Sequence, residues 1–339
     1  MKVGIVGAGR IGTRRAEIVH AFPGAELAAV ADVDLAKAQA AAARFGGQAT
    51  SRWEEVVTRD DVEAVVISTP NHLLAPVALA AIECGKHVLV EKPMGRTPEE
   101  VYRLVEAGRS KGVRIKAGFN HRYHPAIRRA WELAHQGVVG DLLFIRARYG
   151  HGGRPHYECD WRGNPETAGG GELLDQGIHL IDLARWFLGD LEEAVGFTAT
   201  SFWPIAPLED NAFALLRSAR GQVVSLHASW TQWKNLFSFE VYGRDGALTV
   251  EGLGGSYGTE RLTWARRHPE FRPPEEERVE FSDPDCSWHL EWEEFVAAIR
   301  ESRDPVGSGE DGLAAIQGVY AIYEAVRRGS LVRIRELFS

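Results

Sequence analysis

Three short segments of this chain bring together side chains able to hold a phosphate or move a proton. The first is Gly7-Ala8-Gly9-Arg10-Ile11-Gly12, a G-x-G-x-x-G run directly after an apolar strand pattern and opening a helical one. There Gly7 permits a tight turn, Gly9 lets a pyrophosphate approach the backbone, and Gly12 lets the helix pack close to the sheet, so that the amides around Arg10 and Ile11 face the phosphates. Glycine-rich turns are common, and the context gives this one its meaning. Asp32 ends the next strand about twenty residues further on, where a carboxylate can accept both ribose hydroxyls. Asp32 would repel a 2′-phosphate, which favours NAD over NADP, although Arg10 partly offsets that repulsion.

The second segment is Glu91-Lys92-Pro93, at the end of a later strand and on the edge where doubly wound sheets bind ligands. Ser68-Thr69-Pro70-Asn71-His72 ends the strand before it, and its small hydroxyl residues suit a wall beside a nicotinamide; His72 reads equally as a helix-start residue exposed to water. Near a positive nicotinamide ring, like-charge repulsion and partial burial would lower the pKa of Lys92. Such a lysine can accept a proton from an alcohol or return one to an alkoxide. The competing reading is a solvated amine.

The third segment runs from Glu172 to Asp182. Asp175, His179 and Asp182 stand at i, i+4 and i+7, which predicts one shared face of a helix over Glu172–Phe187. Leu173, Leu174, Leu180, Ile181 and Leu183 make the surrounding faces apolar, so the polar stripe meets either its own hydrogen-bond partners or a cavity. Gly169-Gly170-Gly171 ahead of it would let substrate or cofactor come close to the backbone. Upstream, Tyr149, His151, Arg154, Trp161 and Arg162 lie in one glycine-containing stretch, which as an alternative is an ordinary surface loop anchored by Trp161. Polar groups and flat aromatics in one loop suit hydroxyl hydrogen bonding and ring stacking against a carbohydrate, and the two arginines could add recognition of an anion such as a nucleotide diphosphate.

The elements that must position these groups fall into two sets. Through residue 118, short apolar strands (Val3–Val6, Leu27–Ala31, Ala64–Ser68, His87–Glu91, Arg114–Gly118) alternate with helix-period segments, one of them opened by the capping box Thr97-Pro98-Glu99-Glu100. That grammar predicts an α/β fold: a Rossmann-type, doubly wound parallel sheet covered on both faces. Beyond it come a helix at Pro125–Gln136, a strand at Leu142–Tyr149, the catalytic helix, mostly strands from Glu193 to about Phe281, and two closing helices. Turns such as Ala219-Arg220-Gly221 and Arg244-Asp245-Gly246 join those strands, and the proline-rich loop His268–Glu277 reads as exposed. The expected division is a cofactor-binding domain over 1–120 and an α+β domain with a large, mostly antiparallel sheet over 121–339.

Composition bounds the rest. At 339 residues the chain exceeds one ordinary core. Its 39 Lys and Arg against 47 Asp and Glu give a net charge of −8, which disfavours a nucleic-acid partner. No apolar run approaches a membrane span. Cys84, Cys159 and Cys286 form no CxxC and suit a reducing cytoplasm. His121, His124, His151, His156 and Cys159 have no recognised metal spacing, so no metal is expected.

Taken in order, GAGRIG with Asp32, STPNH, Glu91-Lys92-Pro93, GFNHRYHP at Gly118–Pro125 and the D-x-G-x-H block at Asp175–His179 resemble the Gfo/Idh/MocA family of NAD(P)-dependent oxidoreductases over nearly the whole chain. The resemblance implies a second-domain sheet open on one face and often used for homodimer or homotetramer formation, and a Lys92-Pro93 peptide that is often cis and aims the lysine into the cleft. It implies Lys92 and His179 as acid/base residues, Asp175 orienting substrate or tuning the histidine, and Asn120 and Arg122 at the junction of cofactor and substrate. The reaction implied is reversible hydride transfer between nicotinamide and a secondary alcohol of a sugar, cyclitol or nucleotide sugar. Alternatives are an NAD-dependent redox-assisted glycosidase and a non-catalytic NAD sensor.

Overall fold

A computed structural model describes residues 1–270 and 272–338; Phe271, inside the expected loop His268–Glu277, and the terminal Ser339 lie outside the described residues. The first part of the chain runs β1 (Lys2–Val6), α1 (Arg10–Ala21), β2 (Glu26–Ala31), α2 (Leu35–Phe45), β3 (Gln48–Thr50), α3 (Glu54–Val57), β4 (Ala64–Ile67), α4 (Asn71–Glu83), β5 (His87–Glu91), α5 (Pro98–Lys111) and β6 (Ile115–Gly118). Then follow α6 (Pro125–His135), β7 (Leu142–Gly150), α7 (Pro165–Ala168), a π-helical turn (Leu173–Gly177), α8 (Ile178–Leu188), β8 (Leu191–Ala199), β9 (Asn211–Ser218), β10 (Val223–Ser229), β11 (Leu236–Gly243), β12 (Gly246–Glu251), β13 (Glu260–Arg266), β14 (Glu275–Phe281), α9 (Ser287–Arg300), α10 (Gly309–Arg328), β15 (Val332–Arg333) and α11 (Ile334–Leu337).

The first sheet is entirely parallel, in the order β3-β2-β1-β4-β5-β6. Its strand order reverses between β1 and β4, and the carboxyl ends beside that reversal are where open α/β sheets bind ligands. The central strands β4 and β5 are almost wholly apolar, as a sheet covered on both faces requires; Val65, Val66, Ile67, Val88, Leu89 and Val90 are completely buried. Helix starts follow the expected chemistry. Asp34 caps α2 by accepting from the Ala36 amide at 3.2 Å, and Thr97 caps α5 by accepting from the Glu100 amide at 3.3 Å, each a contribution of about 1 kcal/mol. The box at α5 closes one residue early: Glu100 accepts from the amide of Arg96, at 2.6 Å, rather than from that of Thr97.

The second sheet has nine strands in the order β14-β13-β12-β11-β7-β10-β9-β8-β15. All pairs are antiparallel except β7 with β10. Alternation along the strands separates two faces. Ile145, Ala147 and Tyr149 of β7 point inward with Leu216, Leu226, Phe237 and Phe239, whereas Arg146, Arg148, Phe213, Leu215 and His227 point the other way. Strand β14 begins inside the loop expected over His268–Glu277, at Glu275.

Contacts divide the chain into two compact units, and the division is not a single cut at residue 120. One unit comprises Met1–Phe119, Glu166–Gly169 and Trp288–Leu313; the other comprises Asn120–Pro165, Gly170–Ser287 and Ala314–Ser339. The physical reason lies in two late segments. Trp292, Phe295 and Val296 of α9 are buried among Val3, Ile5, Ala16, Val19 and Leu27. The backbone of 166–168 is held by Arg96, which donates to the Glu166 carbonyl at 2.8 Å, and by Asn71, which donates to that of Ala168 at 2.8 Å.

Candidate active site

The carboxyl ends of β1, β2, β4 and β5 carry the expected cofactor residues. Gly7 has φ +94°, and a Cβ there would lie 2.6 Å from the Ser68 carbonyl oxygen. A Cβ on Gly12 would lie 1.7 Å from the carbonyl oxygen of Gly7, so α1 reaches its place only with glycine at this position. In front of Gly9, the extended residue that opens α1, a Cβ would meet nothing within 4 Å. Turn, approach and helix packing are thus divided among the three glycines as the motif requires, and the first turn of α1 holds no acidic residue to oppose a phosphate.

Asp32 follows β2. Its Oδ2 accepts from the Ala8 amide at 2.7 Å and its Oδ1 from the Asp34 amide at 2.9 Å. The carboxylate therefore fixes the glycine turn, and each oxygen keeps a lone pair able to accept a further donor. Ser68 donates through Oγ to the Gly7 carbonyl at 3.1 Å. Asn71 faces Ala168, and Pro70 stands at the start of α4 with the half-buried His72. Glu91, also expected at the cofactor site, turns its carboxylate to α1: its Oε1 accepts from Nε and Nη2 of the buried Arg15 at 2.9 and 2.6 Å. Its neighbour Lys92 is half-buried, and the Lys92–Pro93 peptide is cis, as the resemblance implies.

In the other unit the expected helix over Glu172–Phe187 opens with the π-turn at 173–177, which carries Asp175, and continues as α8, which carries His179 and Asp182. Asp175 Oδ2 accepts from Arg162 Nε at 3.0 Å. Asp182, fully buried, holds Arg122 through two bonds of 2.9 and 2.6 Å. The His179 ring stacks on that of His121, with centroids 3.7 Å apart and planes 20° from parallel. His121 is in turn bonded at 3.2 Å to Asn120 Oδ1, and Asn120 donates to Ser287 Oγ at 3.1 Å. Asn120 and Arg122, expected at the cofactor–substrate junction, thus direct their polar ends to buried partners and position the histidine pair and α8.

Tyr149 comes off β7 beside both rings, 5.2 Å from His121 and 6.4 Å from His179 between centroids. Burial, and then the neighbouring Tyr257, Glu172 and Asp175, push its phenol well above the usual range. Gln176 donates to the Tyr257 hydroxyl at 3.2 Å. His151 accepts the Gly153 amide at 2.9 Å. The protein's own groups lie close to the glycine triplet: a Cβ on Gly171 would fall 2.0 Å from the Glu209 carbonyl oxygen, and one on Gly170 would fall 2.6 Å from the Tyr323 hydroxyl. Glu209 accepts from the amides of Gly171 and Leu173 and from Tyr323, at 3.2, 3.0 and 2.8 Å. Burial raises its carboxyl pKa. Sequence reasoning missed Glu209, Tyr257 and Tyr323 entirely and saw His121 only as a possible metal ligand. The repeated histidines of GFNHRYHP were the one usable signal.

A model of the oxidoreductase family with an NAD-binding Rossmann fold matches residues 1–119, and one of the GFO/IDH/MocA C-terminal domain matches residues 127–249. Levoglucosan dehydrogenase of Pseudarthrobacter phenanthrenivorans is 30% identical over 73% of each chain. The chain belongs to the Gfo/Idh/MocA family. A dTDP-3,4-didehydro-2,6-dideoxy-alpha-D-glucose 3-reductase of Streptomyces antibioticus is 30% identical over 89% of each chain. A solved structure of levoglucosan dehydrogenase with NADH and levoglucosan superposes with a TM-score of 0.88 at 26% identity, covering 98% of both chains. The first domain of this family member is accordingly an NAD-binding Rossmann domain of an oxidoreductase. No helix among the described residues is long and apolar enough to cross a membrane.

Asp32 gives the first test. Asp32→Ser should weaken NAD binding about tenfold or more, because hydrogen bonds to a charged group contribute about 1.5–3 kcal/mol, and should narrow discrimination against NADP. Fluorescence titration of NADH and NADPH reads both, and wild-type protein binding NADPH at least as tightly would overturn the assignment.

Proposed function

We propose that this protein interconverts a secondary alcohol and a ketone on a sugar, cyclitol or nucleotide sugar, with NAD rather than NADP as the preferred partner. The observation carrying this reading is the row of groups along one strand-end edge: the glycine turn after β1, Asp32 after β2, Ser68 after β4 and Lys92 after β5. Bound nicotinamide would supply the hydride acceptor or donor. Lys92 takes the hydroxyl proton in the oxidative direction and returns it in the reverse. His179, its ring plane fixed by His121, hydrogen-bonds the same or an adjacent oxygen, and Asp175 orients the substrate. Tyr149, His151, Arg154, Trp161 and Arg162 shape the substrate end. The relatives named for sugars and a deoxysugar nucleotide support the substrate range. The test is NADH formation at the nicotinamide absorbance across a panel of free sugars, cyclitols and nucleotide sugars. Glycoside cleavage without net NADH, or NAD binding with no turnover of any polyol, would replace this reading.

We further propose a homodimer or homotetramer assembled through the outer face of the nine-stranded sheet. Supporting it are Phe197, Phe213 and Leu215, at 77, 48 and 49% exposure on adjacent strands. Light scattering at micromolar concentration should give two or four times the 37.4 kDa chain mass; a monomeric mass would count against it.

A further inference from the structure

The stretch between β7 and the π-turn contains the two arginines that could recognise a charged substrate, and both are committed. Asp160 accepts from the backbone amide of Arg162 at 3.1 Å, lies 3.7 Å from Arg162 Nη1 and pairs with Arg154. Asp175 takes Arg162 Nε on its other side. The Arg162 guanidinium also lies over the Trp161 ring, 4.3 Å from its centroid, which fixes its plane. Two arginines thus share two carboxylates, and the carboxylates are the more buried partners, with side chains 15 and 13% exposed against 57 and 28% for Arg154 and Arg162.

We infer that this site selects an uncharged polyol and excludes a nucleotide sugar or sugar phosphate, an inference that rests on the function proposed above. A diphosphate approaching Arg154 or Arg162 meets two positive charges already balanced by Asp160 and Asp175, so it faces two carboxylates with no net positive charge to offset its own. Drawing a guanidinium away to bind it more tightly would leave a half-buried carboxylate unpaired beside a second anion. A neutral diol meets the opposite situation. Carboxylate lone pairs accept its hydroxyls and guanidinium N–H groups donate to them without any ion pair opening. The arginines that suggested anion recognition in the sequence therefore act as fixed donors for hydroxyl groups.

The test titrates UDP and dTDP by calorimetry into protein saturated with NADH, so that the dinucleotide site is filled. Wild type should show no binding below about millimolar concentration. Asp160→Asn keeps an acceptor for the Arg162 amide but removes the charge shared by both arginines, and should bind UDP at least tenfold more tightly. In the turnover panel, glucose or myo-inositol should exceed UDP-glucose. Micromolar binding of UDP by wild type, unchanged affinity in Asp160→Asn, or faster turnover of UDP-glucose would each overturn the inference. If no polyol of either kind is oxidised, the proposed function fails, and the calorimetry still decides whether anions are excluded.

Discussion

Lys92→Ala should leave NAD binding nearly intact and lower turnover about 10²–10⁴-fold, the usual contribution of a positioned acid or base. Binding should survive because the proposed contacts to pyrophosphate and ribose come from the glycine turn and Asp32, which are held by bonds among Ala8, Asp34 and Ser68. His179→Ala should also slow turnover. If both side chains address one oxygen, the double variant should cost less than the product of the two single effects, as residues acting as a unit do. The acid limb of the pH–rate profile should flatten in Lys92→Ala, because a protonated amine cannot accept the hydroxyl proton. Steady-state kinetics across pH, with NADH binding measured separately, checks each of these outcomes. An unchanged turnover number and profile in Lys92→Ala would sink the mechanism and leave His179 as the sole base.

The cofactor half of the site was legible in the sequence because its demands are local. Gly7 and Gly12 are dictated by backbone only a few residues away or by the next strand, and a strand end labels itself by where the apolar run stops. Arg15 shows the opposite case. It sits on a helix whose pattern reads as amphipathic, and its partners are Glu91 and Glu291, far along the chain. Nothing near Arg15 signals that it is buried. The same limit explains why α9 was assigned to the second domain: its apolar face reads identically whichever core receives it.

In the other unit, residue types and spacing name polar side chains but not the partners that direct them. Asn120 and Arg122 lie in a segment rich in polar groups, but their directions follow from Ser287 and Asp182, which no spacing reveals. The i, i+4, i+7 argument assumed 3.6 residues per turn, and the π-turn at 173–177 breaks that period. Gly170 and Gly171, read in the sequence as room for substrate or cofactor, lie against Tyr323 and Glu209, residues far along the chain that no local pattern reveals.

Arg15→Met should lower stability by about 3–5 kcal/mol at pH 8, the cost of removing one partner from a buried ion cluster. Arg15 is 1% exposed on α1; its Nη1 lies 2.6 Å from Glu291 Oε2, and its guanidinium lies over Trp288, 4.4 Å from the ring centroid. Glu291 is fully buried, and burial pushes its carboxyl above the ordinary value even with Arg15 and Lys116 opposite. A carboxyl raised in the folded state contributes stability that is complete below its unfolded pKa and is lost as pH rises through the folded one. Without Arg15 that folded value climbs further, and protonation relieves the stranded charge at acid pH. The deficit against wild type should therefore be larger at pH 8 than at pH 5 in urea unfolding. Glu291→Gln placed in the Arg15→Met background should recover part of the loss at pH 8. Equal deficits at both pH values, with no recovery, would locate the loss in packing against Trp288 and in the contact to Glu91. Because Glu91 immediately precedes Lys92, the single variant should also reduce turnover, and that effect should persist after Glu291→Gln restores stability.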